Sequence, residues 1–193
     1  MKNSVSSRIL RLLVVCALLA AMSIVLGKYL AIGIGDVIRI SLENLPVMVA
    51  GFAFGPIAGL AVGVVADLVG CVLVGYAINP IITVGAAVIG LISGIYRYLP
   101  TGGRNSARFI RITATVFVTH AIGSVIIKTF GLAAFYDMPF IALMLWRALN
   151  YLIVGLAEAL ALYSLFSSAG VTREINRILP RRARQNNGKD EML

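Results

Sequence analysis

Residues Leu45 to Ile78 read LPVMVAGFAFGPIAGLAVGVVADLVGCVLVGYAI, an apolar run with Asp67 as its single charged residue. A membrane-crossing helix needs roughly 20 apolar residues, so the run is too long for one helix. Gly55-Pro56 divides it. Proline has no amide proton and disfavours helix in the residue before it. The expected result is a short helix over about Leu45 to Phe54 and a full one over about Pro56 to Val74. The first cannot cross a bilayer unless it is extended, tilted or shielded by protein.

The flanking sequence follows the same pattern. Upstream, an apolar helix over about Ile9 to Leu30 leads into a polar-spotted loop carrying Gly33, Gly35, Asp36, Arg39 and Glu43. Downstream, Asn79-Pro80 turns the chain into a helix over about Ile81 to Leu99, and a polar loop with Gly102-Gly103 follows. A fifth helix covers about Phe109 to Phe130, Tyr136-Asp137-Met138-Pro139 breaks the chain, and a sixth runs from Phe140 to Ser167. Hydrophobic residues make up 60% and charged residues 13% of the chain. Soluble domains run at about 45–50% and about 25%, so the excess apolar surface calls for lipid as its solvent. The fold class expected is all-α: a polytopic membrane protein of six transmembrane helices, with one membrane domain over 1–167 and a basic tail over 168–193. Beyond Pro180 the tail is polar enough that disorder is expected. Six spans would use up the chain and leave no soluble catalytic domain.

Arg8 and Arg11 precede the first apolar run, as in a signal peptide, but the run continues from Leu12 to Leu30 and further spans follow; an uncleaved first helix is expected. Cys16 and Cys71 both lie in apolar runs and read as small buried hydrophobes, with no disulfide. In a soluble protein the net charge of +9 would point to nucleic acid, but the bases sit between and after apolar runs, which points to the membrane instead.

Those bases set the topology. Lys2, Arg8, Arg11, Arg97, Arg104, Arg108, Arg111, Arg173, Arg177, Arg181, Arg182, Arg184 and Lys189 are thirteen of the seventeen, and all fall on one side if both termini are cytoplasmic. Positive residues concentrate on the cytoplasmic side, so six helices with both termini inside is the expected arrangement.

The four remaining bases, Lys28, Arg39, Lys128 and Arg147, all fall toward the outer side. Lys28 and Lys128 close their helices and can be read either as anchors reaching back to water or as part of a binding site. Arg147 lies about two turns into its apolar segment, beside Trp146 and four residues before Tyr151, and a binding role is expected for it. Together the four would form an electropositive basin suited to an anionic solute. Asp67 lies in mid-span, where a carboxylate faces protein or a cavity: it either pairs with a base or accepts hydrogen bonds from a substrate. Asn79 and Asn150 lie near the same level and could donate and accept along the edge of a heteroaromatic ring. Their structural alternatives are a helix cap and interhelical glue. Glu158 is deeper and reads as structural, and His120, the single histidine, reads as a buried packing residue. Ala17 and Ala21 are four apart on the first helix, and small-xxx-small spacing permits close helix approach. Gly59, Gly63 and Gly70 read as internal packing positions.

The run Ala17-Leu-Leu-Ala-Ala-Met-Ser-Ile-Val-Leu-Gly27 resembles the first helix of S components of energy-coupling factor (ECF) transporters. Ile38-Arg-Ile-Ser-Leu-Glu-Asn-Leu-Pro46, Gly51-Phe-Ala-Phe-Gly-Pro56 and Ala66-Asp67-Leu-Val-Gly70 resemble the segments that follow in that family. The stretch from Ile122 to Ala148, with Phe135-Tyr136 and Arg147, looks most like the folate branch. The resemblance covers the chain up to about Phe166. It implies a subunit of the bacterial cell membrane that binds a vitamin from outside and docks on a membrane T subunit and two cytoplasmic ATPases. It also implies that Ala17 and Ala21 form the docking motif, and that the subunit topples in the membrane to carry its vitamin inward. The chain has no Walker A pattern and so cannot supply the ATPase itself.

For folate, Tyr76, Tyr136, Trp146 and Tyr151 could stack on the pterin ring while the basic basin holds the glutamate tail. The alternative within the class is another vitamin or precursor, such as pantothenate, thiamine or riboflavin. An integral membrane enzyme would need an acid–base pair or metal cluster near the interface. Only scattered carboxylates and one histidine are present, so no catalytic residue, metal or cofactor is expected.

Overall fold

A computed structural model describes residues 2–34, 38–99 and 105–178. The Gly102-Gly103 pair, Arg104 and the tail from Leu179 onward, with Arg181, Arg182, Arg184 and Lys189, lie outside the described residues. Helix α1 (Lys2–Ile24) ends in a π-helical turn, Val25–Tyr29. Helices α2 (Asn44–Phe54) and α3 (Pro56–Val74) follow, then α4 (Pro80–Ile95) with a 3-10 turn at Tyr96–Tyr98. Helix α5 (Asn105–Thr119) continues through a π-helical segment, His120–Ile127, into α6 (Lys128–Tyr136). Helix α7 (Phe140–Ser167) and a short α8 (Ala169–Ile178) complete the described chain.

Five of these helical units are long and apolar enough to cross a membrane: Ser7–Tyr29, Pro56–Val74, Pro80–Tyr98, Asn105–Tyr136 and Phe140–Ser167. Their outward faces are apolar, with Leu18, Val72, Ile141 and Ile153 all well exposed. Water-soluble monomers rarely show apolar surface of this extent. Among the described residues the sixth apolar helix is α2, 11 residues long. At 1.5 Å per residue it covers about 16 Å, roughly half of the hydrocarbon core. Its neighbours shield it, with Val47, Met48, Ala50, Phe52 and Ala53 all buried.

Gly55 and Pro56 make the break between α2 and α3 as expected. Gly55 has φ 99°, and Pro56 occupies the first turn of α3, where its missing N–H costs nothing. The Arg97 guanidinium donates to the Ala53 carbonyl, satisfying an acceptor left open at the end of α2. Helices α3 and α4 pack backbone to backbone: a Cβ on Gly90 would sit 2.0 Å from the Gly59 carbonyl oxygen, and one on Gly59 2.2 Å from that of Gly90. Met48, Ile89, Ile112, Val116 and Leu162 are buried at the centre.

The helices run alternately up and down. Gly55 lies against Arg97, Gly70 against Lys28, and Gly85 against Lys128. The rings of Phe109 and Tyr163, near the start of α5 and the end of α7, meet edge to face at 5.3 Å. Arg97, Arg108 and Arg111 therefore gather near α8, while Lys28 and Lys128 lie at the opposite end.

Two elements add to the pattern read from sequence. The first loop forms a two-stranded antiparallel hairpin, β1 (Ile32–Ile34) and β2 (Ile38–Ile40), with Gly33 opposite Arg39. Its isoleucines alternate with other residues, which suits a strand, but three residues are too few to show a period. Helix α8 occupies residues read as the start of the tail. Val171, Ile175 and Ile178 lie at helical spacing on one side, with Arg173 and Arg177 among the exposed residues.

Candidate functional site

Because α2 begins only part-way along the bundle, space remains beyond its first residues at the hairpin end. A cavity of about 30 Å³ occupies part of it, with Ser23, Lys28, Glu43, Asn44, Asp67 and Lys128 as its polar lining. Val47, Ala66 and Ala86 form apolar wall. This volume admits roughly one or two waters, whereas ligand pockets of vitamin size run to roughly 300–1,000 Å³. The walls must part for such a ligand to enter.

Each polar group has a structural cause. Lys28 stands in the π-helical turn that ends α1, and its ammonium lies 5.4 Å from the centre of the Tyr76 ring. Lys128 starts α6, is 6% exposed, and pairs through Nζ with Glu43 Oε1 at 3.2 Å. Glu43 precedes α2 and is held there in part by Ser23, whose hydroxyl donates to its backbone carbonyl at 2.6 Å. Asp67 on α3 accepts from the Thr83 hydroxyl of α4 at 2.6 Å. Asn44 is 2% exposed, and its side-chain Nδ2 has no hydrogen-bond partner among the described residues. A buried donor without a partner costs about 1–3 kcal/mol, so a cavity-lining amide of this kind favours a ligand that accepts from it.

A second polar cluster adjoins the first, one helical turn along from Lys128. Arg147 Nε donates to the Ser124 carbonyl at 3.1 Å, and the guanidinium lies 5.5 Å from the centre of the Tyr151 ring. Tyr151 is nearly buried and stacks on His120. His120 is hydrogen-bonded to Glu158.

Of the residues singled out from sequence, Lys28, Asp67 and Lys128 line the cavity, with Tyr76 beside Lys28. Arg147 and Tyr151 form the adjoining cluster. Asn79 is buried and caps α4 by accepting from the Ile81 amide at 3.0 Å, while its Nδ2 donates to the Gly131 carbonyl at 2.8 Å. Tyr136 ends α6, exposed, with Phe135 against it at 5.6 Å. Trp146 is exposed on α7, and Asn150 is half-buried there. The side chain of Arg39 lies outside the described part of β2. Ala17 and Ala21 are exposed on α1, while Ala20 between them is buried. Glu43, Asn44, Ser23 and Thr83 were not singled out, being ordinary polar residues of a loop and of helix ends. The one sequence signal for Glu43 is its place immediately before an apolar helix.

Near the opposite end an apolar groove of about 820 Å³ runs between α1, α2, α7 and α8, walled by residues such as Leu19, Val49, Leu165 and Ile175. It lacks the convergent polar groups that orient a small solute.

The family model for the substrate-specific component of ECF transporters matches residues 11–167. The chain belongs to that family. Among solved structures it is similar to the crystal structure of FolT bound with folic acid, at 21% identity and TM-score 0.63, over 78% of this chain and 88% of that one. It is also similar to the S component of a bacterial ECF transporter, at 18% identity and TM-score 0.58, over 81% and 96% of the two chains. These two likenesses establish the fold. No curated protein matches.

Proposed function

We propose that this subunit captures folate from outside the cell and delivers it across the cell membrane together with a T subunit and two cytoplasmic ATPases. In this reading the hairpin end faces out, α2 counts as the sixth span, and both termini lie in the cytoplasm with the 168–193 tail. The subunit itself catalyses no reaction. Arg147, joined by Arg39, holds the carboxylates of the glutamate tail. Glu43 and Asp67 accept from the amino and ring N–H groups of the pterin, a task suited to carboxylates because they only accept, and Lys28 and Lys128 beside them donate to its carbonyl and ring nitrogens. Tyr76 and Tyr151 offer ring faces, with Trp146 and Tyr136 farther out, and Asn150 reads the neighbouring part of the ligand.

The observation that carries this reading is the grouping of two lysines, two carboxylates and an unpartnered buried amide around one cavity. A charge inside a membrane protein is costly, and a cavity lined by four, with Lys128 buried and the other three half-buried, suits a ligand bearing both donors and acceptors. Likeness in fold to FolT bound with folic acid favours folate within the class. Mass spectrometry of the small molecule that co-purifies with the subunit tests the proposal. A folate is expected, and a different vitamin would overturn the substrate assignment while keeping the class.

A further inference from the structure

Between the His120–Ile127 segment and α7, His120 and Glu158 meet with side chains 1% and 0% exposed. His120 Nε2 is hydrogen-bonded to Glu158 Oε2. Neither residue lines the cavity, so ligand contact there does not account for them. An ionisable pair in the interior of a membrane protein is expensive to place and calls for a reason.

Two separate connections run from this pair to Arg147. The first is through rings. His120 stacks on Tyr151 with centroids 4.6 Å apart and planes at 23°, and the Arg147 guanidinium lies over that same Tyr151 ring. The second is through hydrogen bonds. His120 Nδ1 is 3.2 Å from Ser124 Oγ, and the Ser124 backbone carbonyl accepts from Arg147 Nε. His120 and Ser124 both lie in the π-helical segment His120–Ile127. Such wide turns interrupt α-helices often at functional positions.

We infer that His120, oriented by Glu158, is a positioning residue that sets the guanidinium of Arg147 toward an anionic ligand. The hydrogen bond to Glu158 occupies Nε2 of the ring, and the contact with the Ser124 hydroxyl occupies Nδ1. Both ring nitrogens are then engaged and the imidazole cannot tilt. That fixes the Tyr151 ring lying on it and the segment carrying the Ser124 carbonyl. The bond at Nε leaves the planar fork of the two terminal nitrogens to be aimed as a unit, the geometry a carboxylate takes best. The inference rests on the reading of Arg147 as a ligand-binding residue.

The test is a double-mutant cycle between His120→Phe and Arg147→Met in the purified subunit, titrated with folic acid and with its dimethyl ester, in which both glutamate carboxylates are blocked. His120→Phe keeps a ring on Tyr151 and removes both hydrogen bonds. It is expected to weaken folic acid binding roughly three- to tenfold and binding of the ester far less, with no further loss when Arg147 is already Met. Glu158→Gln keeps a hydrogen-bond partner for Nε2 and is expected to lose less folic acid affinity than His120→Phe. If His120→Phe does not yield folded protein, His120→Gln takes its place in the cycle with the same expectation. Equal loss for both ligands, a loss undiminished in the Arg147→Met background, or no loss at all would each overturn the inference. If Arg147→Met itself fails to separate the two ligands, the binding role of Arg147 fails first, and the positioning role with it.

Discussion

Lys128 and Glu43 are 85 residues apart in sequence and 3.2 Å apart in the fold, joining the start of α6 to the start of α2. The pair closes one side of the cavity while Lys28 and Asp67 contribute to its lining. Removing one member of a buried pair leaves an uncompensated charge, at a cost of about 3–5 kcal/mol when burial is deep. Lys128→Met is therefore expected to lower the thermal midpoint and to abolish measurable folate binding. Adding Glu43→Leu should restore much of the midpoint and none of the binding. Recovery of both by the double variant would make the pair a purely structural contact.

The approach of Gly59 to Gly90 gives a prediction about stability alone. With a Cβ on Gly90 only 2.0 Å from a backbone oxygen, α3 and α4 must separate to admit one. Overpacking typically costs about 1–3 kcal/mol, and backbone yields less readily than a side chain. Gly90→Ala should lower the thermal midpoint by several degrees, whereas Ala77→Gly, at an exposed turn position, should barely move it. Equal shifts would mean the helices do not pack this closely.

Docking is tested on α1. Ala17 and Ala21 are exposed on one side of the helix, flanking the buried Ala20. Replacing either with Trp should stop uptake by the assembled transporter and leave folate binding to the isolated subunit within about twofold. A parallel collapse of binding would reassign the stripe to packing within the subunit.

Topology is tested by labelling. With Cys16 and Cys71 replaced by Ala, a cysteine at Asp137 should react with an impermeant reagent added to intact cells, and one at Ser106 should react only after permeabilisation. Both positions are exposed at chain turns or helix starts, so accessibility depends on side of the membrane. The reverse pattern would invert the orientation.

Much of the fold was legible because proline and glycine interrupt an otherwise apolar chain. Gly55-Pro56 marked the α2–α3 boundary to the residue, since the physics of the missing N–H is local. The hairpin was not legible: each strand has three residues, and what stabilises it is pairing between them. Helix α8 was hidden by its surroundings, because its arginines merged with the basic tail while Val171, Ile175 and Ile178 carried a helical spacing that went unused. In the candidate site, Lys28, Asp67 and Lys128 stood out as charges within apolar helices. Glu43 did not, since a carboxylate in a polar loop is unremarked until the fold brings Lys128 to it. The same holds for His120 and Glu158, whose pairing spans 38 residues and has no local signal.

The most direct test of substrate capture is ligand-dependent thermal stability of the purified subunit in detergent, measured across a panel of folate, pantothenate, thiamine and riboflavin. A ligand present at 100 times its dissociation constant stabilises the folded state by about 2.7 kcal/mol, enough to raise the midpoint by several degrees. Folic acid is expected to raise it in this way, with the rise lost in Lys128→Met and reduced in Arg147→Met, while the other three vitamins leave it unchanged. A rise with one of the other vitamins and none with folic acid would contradict the assignment of folate as the substrate.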